Sequence, residues 1–405
     1  MKPKIHFHSD CPFFGGCENM LSVLFNNEKI RNNFELSFSY GYSKEYEDGL
    51  NDRVETYIKK YPLNTSLRWS IHGPKILRYF LGAIGKLLEY IYFAKDIFKI
   101  YRIIIKENPD IVHINNGGYP GAYSCSAAVF AAKLAGKDKI IYVVNNVAVP
   151  RSSITRKPDF WIDRFVSKNV SKFITGSNYA GEKLRSVLKF NNDQYVRIPN
   201  TIAMRSSDEV PEETRRRLGV GLNDILIGNV ALYEERKGQK YLIKAFNELS
   251  KELGGALNVR LILEGRGPMK GELMELVKSY GLNSKVLFIE EKNIYNLYKC
   301  LDLLVLPSIA YEDFPSVILE AMSLGKPVVG TNLAGIPEQI ENSRNGYIVE
   351  PEDVGQLKGA MKGIVTDKDL REQMGRKSRE IFDANFKEDM IIDKYINLYE
   401  SLLGN

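Results

Sequence analysis

The sequence predicts an α/β protein made of two doubly wound parallel sheets, and three observations carry that expectation. From Ile225 onward, short apolar runs alternate with amphipathic stretches: strands at Ile225–Val230, Val259–Glu264, Val286–Ile289 and Leu303–Leu306, with helices near 241–253 and 273–280. The first 200 residues show the same alternation, with strands at 5–8 and Ile140–Val144, another opened by Pro109-Asp110, and a helix over 122–135. A polar stretch, 203–213, separates the two series and is the best linker candidate. Ligands of such sheets sit beyond the carboxyl ends of the strands, so two facing sheets predict one deep central cleft.

Composition narrows the class. A chain of 405 residues with 44% hydrophobic content can bury two cores. Its four cysteines (Cys11, Cys17, Cys125, Cys300) contain no Cys-x-x-Cys, which points to a reducing cytoplasm and away from a zinc knuckle. No signal peptide is visible, and no uncharged apolar run reaches the roughly 18 residues of a spanning helix. Residues 1–200 hold 29 basic against 18 acidic side chains, a net of +11, while 201–405 hold 27 against 32, a net of −5. The basic half calls for an anionic partner. No zinc-finger or RNA-binding aromatic signature supports nucleic acid.

The most informative stretch is 311–335. Pro315 suits a first helical turn with Asp313 as its cap, Gly325 ends the helix, and Pro327 blocks continuation. Glu312 then lies on a loop and Glu320 inside the helix. A helix N-terminus after a parallel strand favours an anion, and carboxylates beside it suit sugar hydroxyls. The local reading is a site for a phosphorylated sugar.

Glu312-x7-Glu320, followed by Gly-Lys-Pro-Val-Val and Ala-Gly-Ile-Pro-Glu, resembles the donor-site signature of family-four retaining glycosyltransferases of GT-B fold. The resemblance covers nearly all of the chain, specific in the C-terminal half and architectural in the N-terminal half. It implies two Rossmann-like domains: an acceptor domain over 1–200, with a last helix near 388–405 returning to it, and a nucleotide-sugar donor domain over 201–387. It also implies hexose transfer with retention to a glycan or lipid-linked acceptor, in bacterial capsule, lipopolysaccharide or exopolysaccharide synthesis. The donor would be a UDP- or GDP-sugar, with no cofactor and no metal.

Residue by residue, the resemblance gives Glu320 the ribose, and gives Glu312 and the backbone of Asp313, Phe314, Pro315, Ser316 and Val317 the sugar and phosphates. Lys237 would balance the leaving diphosphate, beside Arg236. Glu264-Gly265-Arg266-Gly267-Pro268 resembles the family's nucleotide loop. Gly15, Gly16 and Glu18 match its first strand-to-helix loop. The chain departs from the family at Leu232, where relatives carry an Arg, and at Asn145-Asn146, where many carry a His. Other readings stay open: a non-catalytic sugar-nucleotide binding subunit, a GT-B epimerase, and a nucleic-acid-binding protein. His113, within a strand, reads as a core histidine.

Residues 68–106 predict one or two long helices, with eight basic residues (Arg68, Lys75, Arg78, Lys86, Lys95, Lys99, Arg102, Lys106) against Glu89 and Asp96. Aromatic bulk studded with cations suits either sheet cover or peripheral contact with an anionic membrane.

Overall fold

The computed structural model describes residues 2–11, 14–55, 57–64, 75–150, 157–204 and 206–404, the side chains of 75–84 excepted. The chain forms two compact units, residues 1–200 with 388–405 and residues 201–387.

Unit 1 carries seven parallel strands: β1 (Lys4–Ser9), β2 (Glu35–Gly41), β3 (Lys59–Leu63), β4 (Ile111–Asn116), β5 (Ile140–Val144), β6 (Lys172–Thr175) and β7 (Tyr195–Arg197), in the order β3-β2-β1-β4-β5-β6-β7. Strand order reverses between β1 and β4, which pair from Ile5↔Ile111 to Ser9↔Asn115. A parallel sheet is covered on both faces, so every residue of β4 and β5 is buried. The helix Tyr123–Leu134 packs on this core through Ala127, Ala128, Ala131 and Ala132, small residues that permit close approach.

The cationic stretch is one 33-residue helix, Lys75–Glu107, whose Phe93, Ile100 and Ile104 enter the same core. Residues 68–74 and the side chains of Lys75 and Arg78 lie outside the described residues. The last helix, Glu388–Leu403, belongs to unit 1, where Tyr399 lies within 2.9 Å of His113 Nδ1 through its hydroxyl oxygen. His113 is fully buried in the core.

Unit 2 carries β8 (Ile225–Val230), β9 (Val259–Glu264), β10 (Val286–Ile289), β11 (Leu303–Leu306), β12 (Val328–Thr331) and β13 (Gly346–Val349), all parallel, in the order β10-β9-β8-β11-β12-β13. Here the order reverses between β8 and β11. The stretch 203–213 differs from the linker expected of it. Residues from Thr201 belong to unit 2, and Pro211 opens the helix Pro211–Arg217. That helix is anchored by Arg215, which donates to the carbonyls of Asp224 (2.8 Å) and Cys300 (2.9 Å) and pairs with Asp302. Of the stretch 203–213, only Pro211–Glu213 lie in that helix.

Unit 1 has an unusually titratable interior. Burial pushes His6, His8 and His113 down from 6.5 to about 3, and pushes Glu18 up from 4.5 to about 7. A histidine with a depressed folded pKa stays neutral while the unfolded chain takes a proton, so stability falls as pH drops below 6.5. Glu18 acts the other way, because the folded state binds its proton first and regains stability between pH 7 and 4.5. Three imidazoles outweigh one carboxyl, leaving a net loss below pH 6.5 of about 1–3 kcal/mol per pH unit. Urea unfolding at pH 7.0, 6.0 and 5.0 should show this decline, less steep in His113→Gln. A midpoint unchanged from pH 7.0 to 5.0 would contradict it.

Candidate active site

Three loops of unit 2 meet at the carboxyl ends of β8, β9 and β11, and backbone packing holds them together. Gly238 has φ +70°, and a Cβ there would lie 2.0 Å from the Pro307 carbonyl oxygen, so only glycine fits. Gly265 (φ +140°) and Gly267 (φ +151°) press likewise on the Ala231 and Tyr233 carbonyls. Tyr233 N donates to Arg266 O at 2.9 Å, and Ile309 N to Arg236 O at 2.8 Å. The glycines therefore set loop against loop.

On this frame Lys237, at the end of a short 3-10 turn (Glu235–Lys237), reaches Glu312 with Nζ 2.5 Å from Oε2. Both side chains are nearly buried, 13% and 11% exposed. Ser308 Oγ donates to the same Glu312 oxygen at 3.0 Å, while Thr331 Oγ1 donates to the Ser308 carbonyl at 2.7 Å. Arg236 pairs with Glu234 at 2.6 Å and donates to the Tyr311 carbonyl at 3.2 Å. Its charge is thus already matched within the loop.

The helix Ser316–Ser323 starts just beyond. Its N-cap is Pro315, which has no capping side chain; Asp313, the residue expected as the cap, is buried two positions before it. The Ser316 and Val317 N–H groups are first-turn donors without intrahelical partners. Phe314 is core, edge-on to Phe386 at 5.6 Å between ring centres. One turn into the helix, Glu320 accepts from Tyr298 Oη at 2.7 Å. Glu264, at the end of β9, is raised from 4.5 to about 7, first by burial and then by the neighbouring Glu291, Glu320 and Glu290 carboxylates.

Gly15, Gly16 and Glu18 lie in unit 1, on the loop after β1. Open space faces Gly16, whereas Glu18 is buried and turned into its own loop, accepting from Ser9 Oγ (3.2 Å) and Gly15 N (3.3 Å). Asn145 is likewise occupied, donating to Asn115 Oδ1 (2.8 Å) and Asn116 O (3.1 Å). Sequence reasoning missed Ser308 and Tyr298. Ser308 follows β11 directly, and a hydroxyl at that strand end was the available signal; Tyr298 lies 22 residues from Glu320 and gave none. Among the described residues, no group of three His, Cys, Asp or Glu side chains gathers as a metal site.

Two parallel α/β units with this loop arrangement define the GT-B fold, and solved structures agree. A glycosyltransferase from Rickettsia africae matches over 100% of this chain and 99% of its own, with TM-score 0.79 at 19% identity. Anabaena HepE in complex with UDP matches over 99% and 100%, with TM-score 0.78 at 19% identity. Residues 210–381 match the family described as glycosyl transferases group 1, and residues 52–205 match glycosyltransferase family 4. The chain belongs to this glycosyltransferase family. It is 28% identical over 192 residues to N-acetyl-alpha-D-glucosaminyl L-malate synthase of Bacillus anthracis, 47% of this chain and about half (49%) of that one. It is 24% identical over 337 residues to the UDP-Gal:alpha-D-GlcNAc-diphosphoundecaprenol alpha-1,3-galactosyltransferase of Escherichia coli, 81% of this chain and 84% of that one.

Removing one member of a nearly buried ion pair strands the other charge. Lys237→Met should therefore lower the stability of unit 2 by about 2–4 kcal/mol, and adding Glu312→Gln should restore part of the loss. A urea-denaturation double-mutant cycle reads the coupling. Strictly additive effects would mean that the two side chains do not interact.

Proposed function

We propose that the protein is a retaining, metal-independent glycosyltransferase that moves a hexose from a nucleotide diphosphate sugar to a glycan or lipid-linked acceptor in bacterial surface-polysaccharide synthesis. The observation that carries this reading is the Lys237–Glu312 pair beside the Ser316–Ser323 helix N-terminus. A cation and first-turn amides together form a positive field suited to a diphosphate. Glu312 then exchanges part of its bond to Lys237 for sugar hydroxyls and favours positive charge developing at the anomeric carbon. Lys237 stabilises the departing diphosphate. Glu320, steadied by Tyr298, suits the ribose hydroxyls. Glu264 and the Gly265–Gly267 turn suit the nucleotide. Unit 1, with Gly15 and Gly16, takes the acceptor. The names of the relatives favour UDP: HepE binds it, and the galactosyltransferase of E. coli uses UDP-Gal and a diphosphoundecaprenol-linked acceptor.

A lipid-linked acceptor places the enzyme at a cytoplasmic membrane face. Among the described residues no helix is long and apolar enough to cross a membrane. Peripheral contact is proposed through the helix Lys75–Glu107, which exposes Leu87, Ile91, Phe98 and Ile105. Lys95 and Arg102 flank this strip, over the rings of Tyr92 and Phe98. Lys86 is committed elsewhere: its ammonium sits 2.9 Å from the fully buried Asp159 carboxylate. It therefore has no part in headgroup binding.

With the donor that this protein turns over, Glu312→Ala should reduce nucleotide release by about 10²–10³-fold, and Glu320→Ala should mainly weaken nucleotide binding. EDTA should leave activity intact. Near-normal turnover in folded Glu312→Ala would overturn the assignment, and loss in EDTA restored by manganese would overturn metal independence. Vesicle flotation should require anionic lipid and fail when Lys95, Arg102 and Lys106 become Glu. Equal binding to neutral vesicles would leave the helix as sheet cover alone.

A further inference from the structure

Two of the four cysteines meet inside unit 1. Cys11 stands two residues beyond β1, and Cys17 lies in the 3-10 turn Gly16–Glu18 of the loop that follows it. Both are free thiols, and both are partly exposed. Gly117, just past β4, marks how closely they approach. A Cβ built there would meet Cys11 Sγ at 3.3 Å and Cys17 Sγ at 3.4 Å. The remaining two thiols are placed differently. Cys125 and Cys300 are buried, each directed at a backbone carbonyl, Asn115 O at 3.5 Å and Pro211 O at 3.3 Å.

Their surroundings give the two sulfurs different tasks. The Cys17 thiol donates to the Gly117 carbonyl at 3.9 Å, a long and weak contact. The Cys11 thiol hydrogen-bonds with Cys17 and with the Glu18 carboxylate. Glu18 is buried, and it also accepts from Ser9 Oγ at 3.2 Å and Gly15 N at 3.3 Å. The Cys17 sulfur, burial and the Glu18 charge together push the Cys11 thiol well above the ordinary thiol range, so it keeps its proton. A protonated thiol is a poor nucleophile. Cys17 is therefore the sulfur that meets an oxidant first. Cys11 waits beside it, with a carboxylate at hand to take its proton.

We propose that Cys11 and Cys17 are a modification site at which hydrogen peroxide forms an intramolecular disulfide, tying the end of β1 to the turn that carries Gly16 and Glu18. In the first step Cys17 Sγ, losing its proton to water, attacks one peroxide oxygen. The O–O bond breaks, hydroxide leaves and takes up a proton as water, and Cys17 becomes a sulfenic acid. In the second step Cys11 Sγ attacks the Cys17 sulfur and expels its hydroxyl. The Cys11 proton passes through the Glu18 carboxylate to that hydroxyl, which leaves as the second water. Two thiols lose two electrons in all, and one peroxide is reduced to two waters. In a reducing compartment such a bridge is transient, undone by exchange with a dithiol that is oxidised in its place. This chemistry needs neither unit 2 nor a nucleotide sugar.

Mass spectrometry of the whole chain tests it. Reduced protein is exposed to hydrogen peroxide at neutral pH, unfolded in urea, capped with N-ethylmaleimide and digested with trypsin. Both cysteines fall on one peptide, residues 5–29. Without peroxide that peptide should carry two maleimides. After peroxide it should carry none and weigh two hydrogens less than the uncapped dithiol, and dithiothreitol should restore both additions. Cys125 and Cys300, buried before unfolding, should each still take one. Dimedone then reads the order of attack. Cys11→Ser should accumulate a labelled sulfenic acid at Cys17, and Cys17→Ser should lose the labelling. A treated peptide that keeps both maleimide sites overturns the proposal. So does oxidation to sulfinic acid without a bridge, or a bridge that joins two chains. Dimedone on Cys11 in Cys17→Ser, to the extent seen on Cys17 in Cys11→Ser, overturns the order of attack and with it the task given to Glu18.

Discussion

Holding charge at the edge of a sheet whose two faces are buried is the constraint on which unit 2 depends. The interior strands β8 and β11 are apolar or neutral throughout, so ionic chemistry is confined to the loops beyond their carboxyl ends. There the Lys237–Glu312 bond of 2.5 Å ties the β8 loop to the β11 loop across 75 residues of sequence. Its geometry requires the two backbones to touch, which is why Gly238 must meet the Pro307 carbonyl without a side chain. The pair also holds its positive charge in a matched form, so neither Lys237 nor Glu312 is an isolated charge at this nearly buried position.

Unit 1 handles polarity in the opposite way. Its central strand β1 reads Lys-Ile-His-Phe-His-Ser, and five of those six residues are buried. A parallel core would ordinarily exclude two histidines. Here serines from β2 and from the first turn of Tyr123–Leu134 meet each ring nitrogen, so desolvation is met by hydrogen bonds rather than by charge. His113 is covered by Tyr395 and Tyr399 of the returning helix. That helix completes the core of unit 1 from the far end of the chain.

The class of fold and the place of the loops around Lys237, Gly265 and Glu312 were legible in the sequence. Alternating apolar runs of strand length and amphipathic helices are local signals, so the strands Ile225–Val230, Val259–Glu264, Val286–Ile289 and Leu303–Leu306 could be delimited without a structure. The spacing of Glu312 and Glu320 around a helix start was legible for the same reason. The tertiary structure decided everything that depends on a partner distant in sequence: that Glu312 is held by Lys237 and Ser308, that Glu320 is held by Tyr298, that Glu18 turns inward, and that Lys86 serves Asp159 instead of solvent. Charge and polarity in a sequence specify what a residue can bond to. Only the packed chain brings one partner within 3 Å and removes the water that would otherwise compete for it.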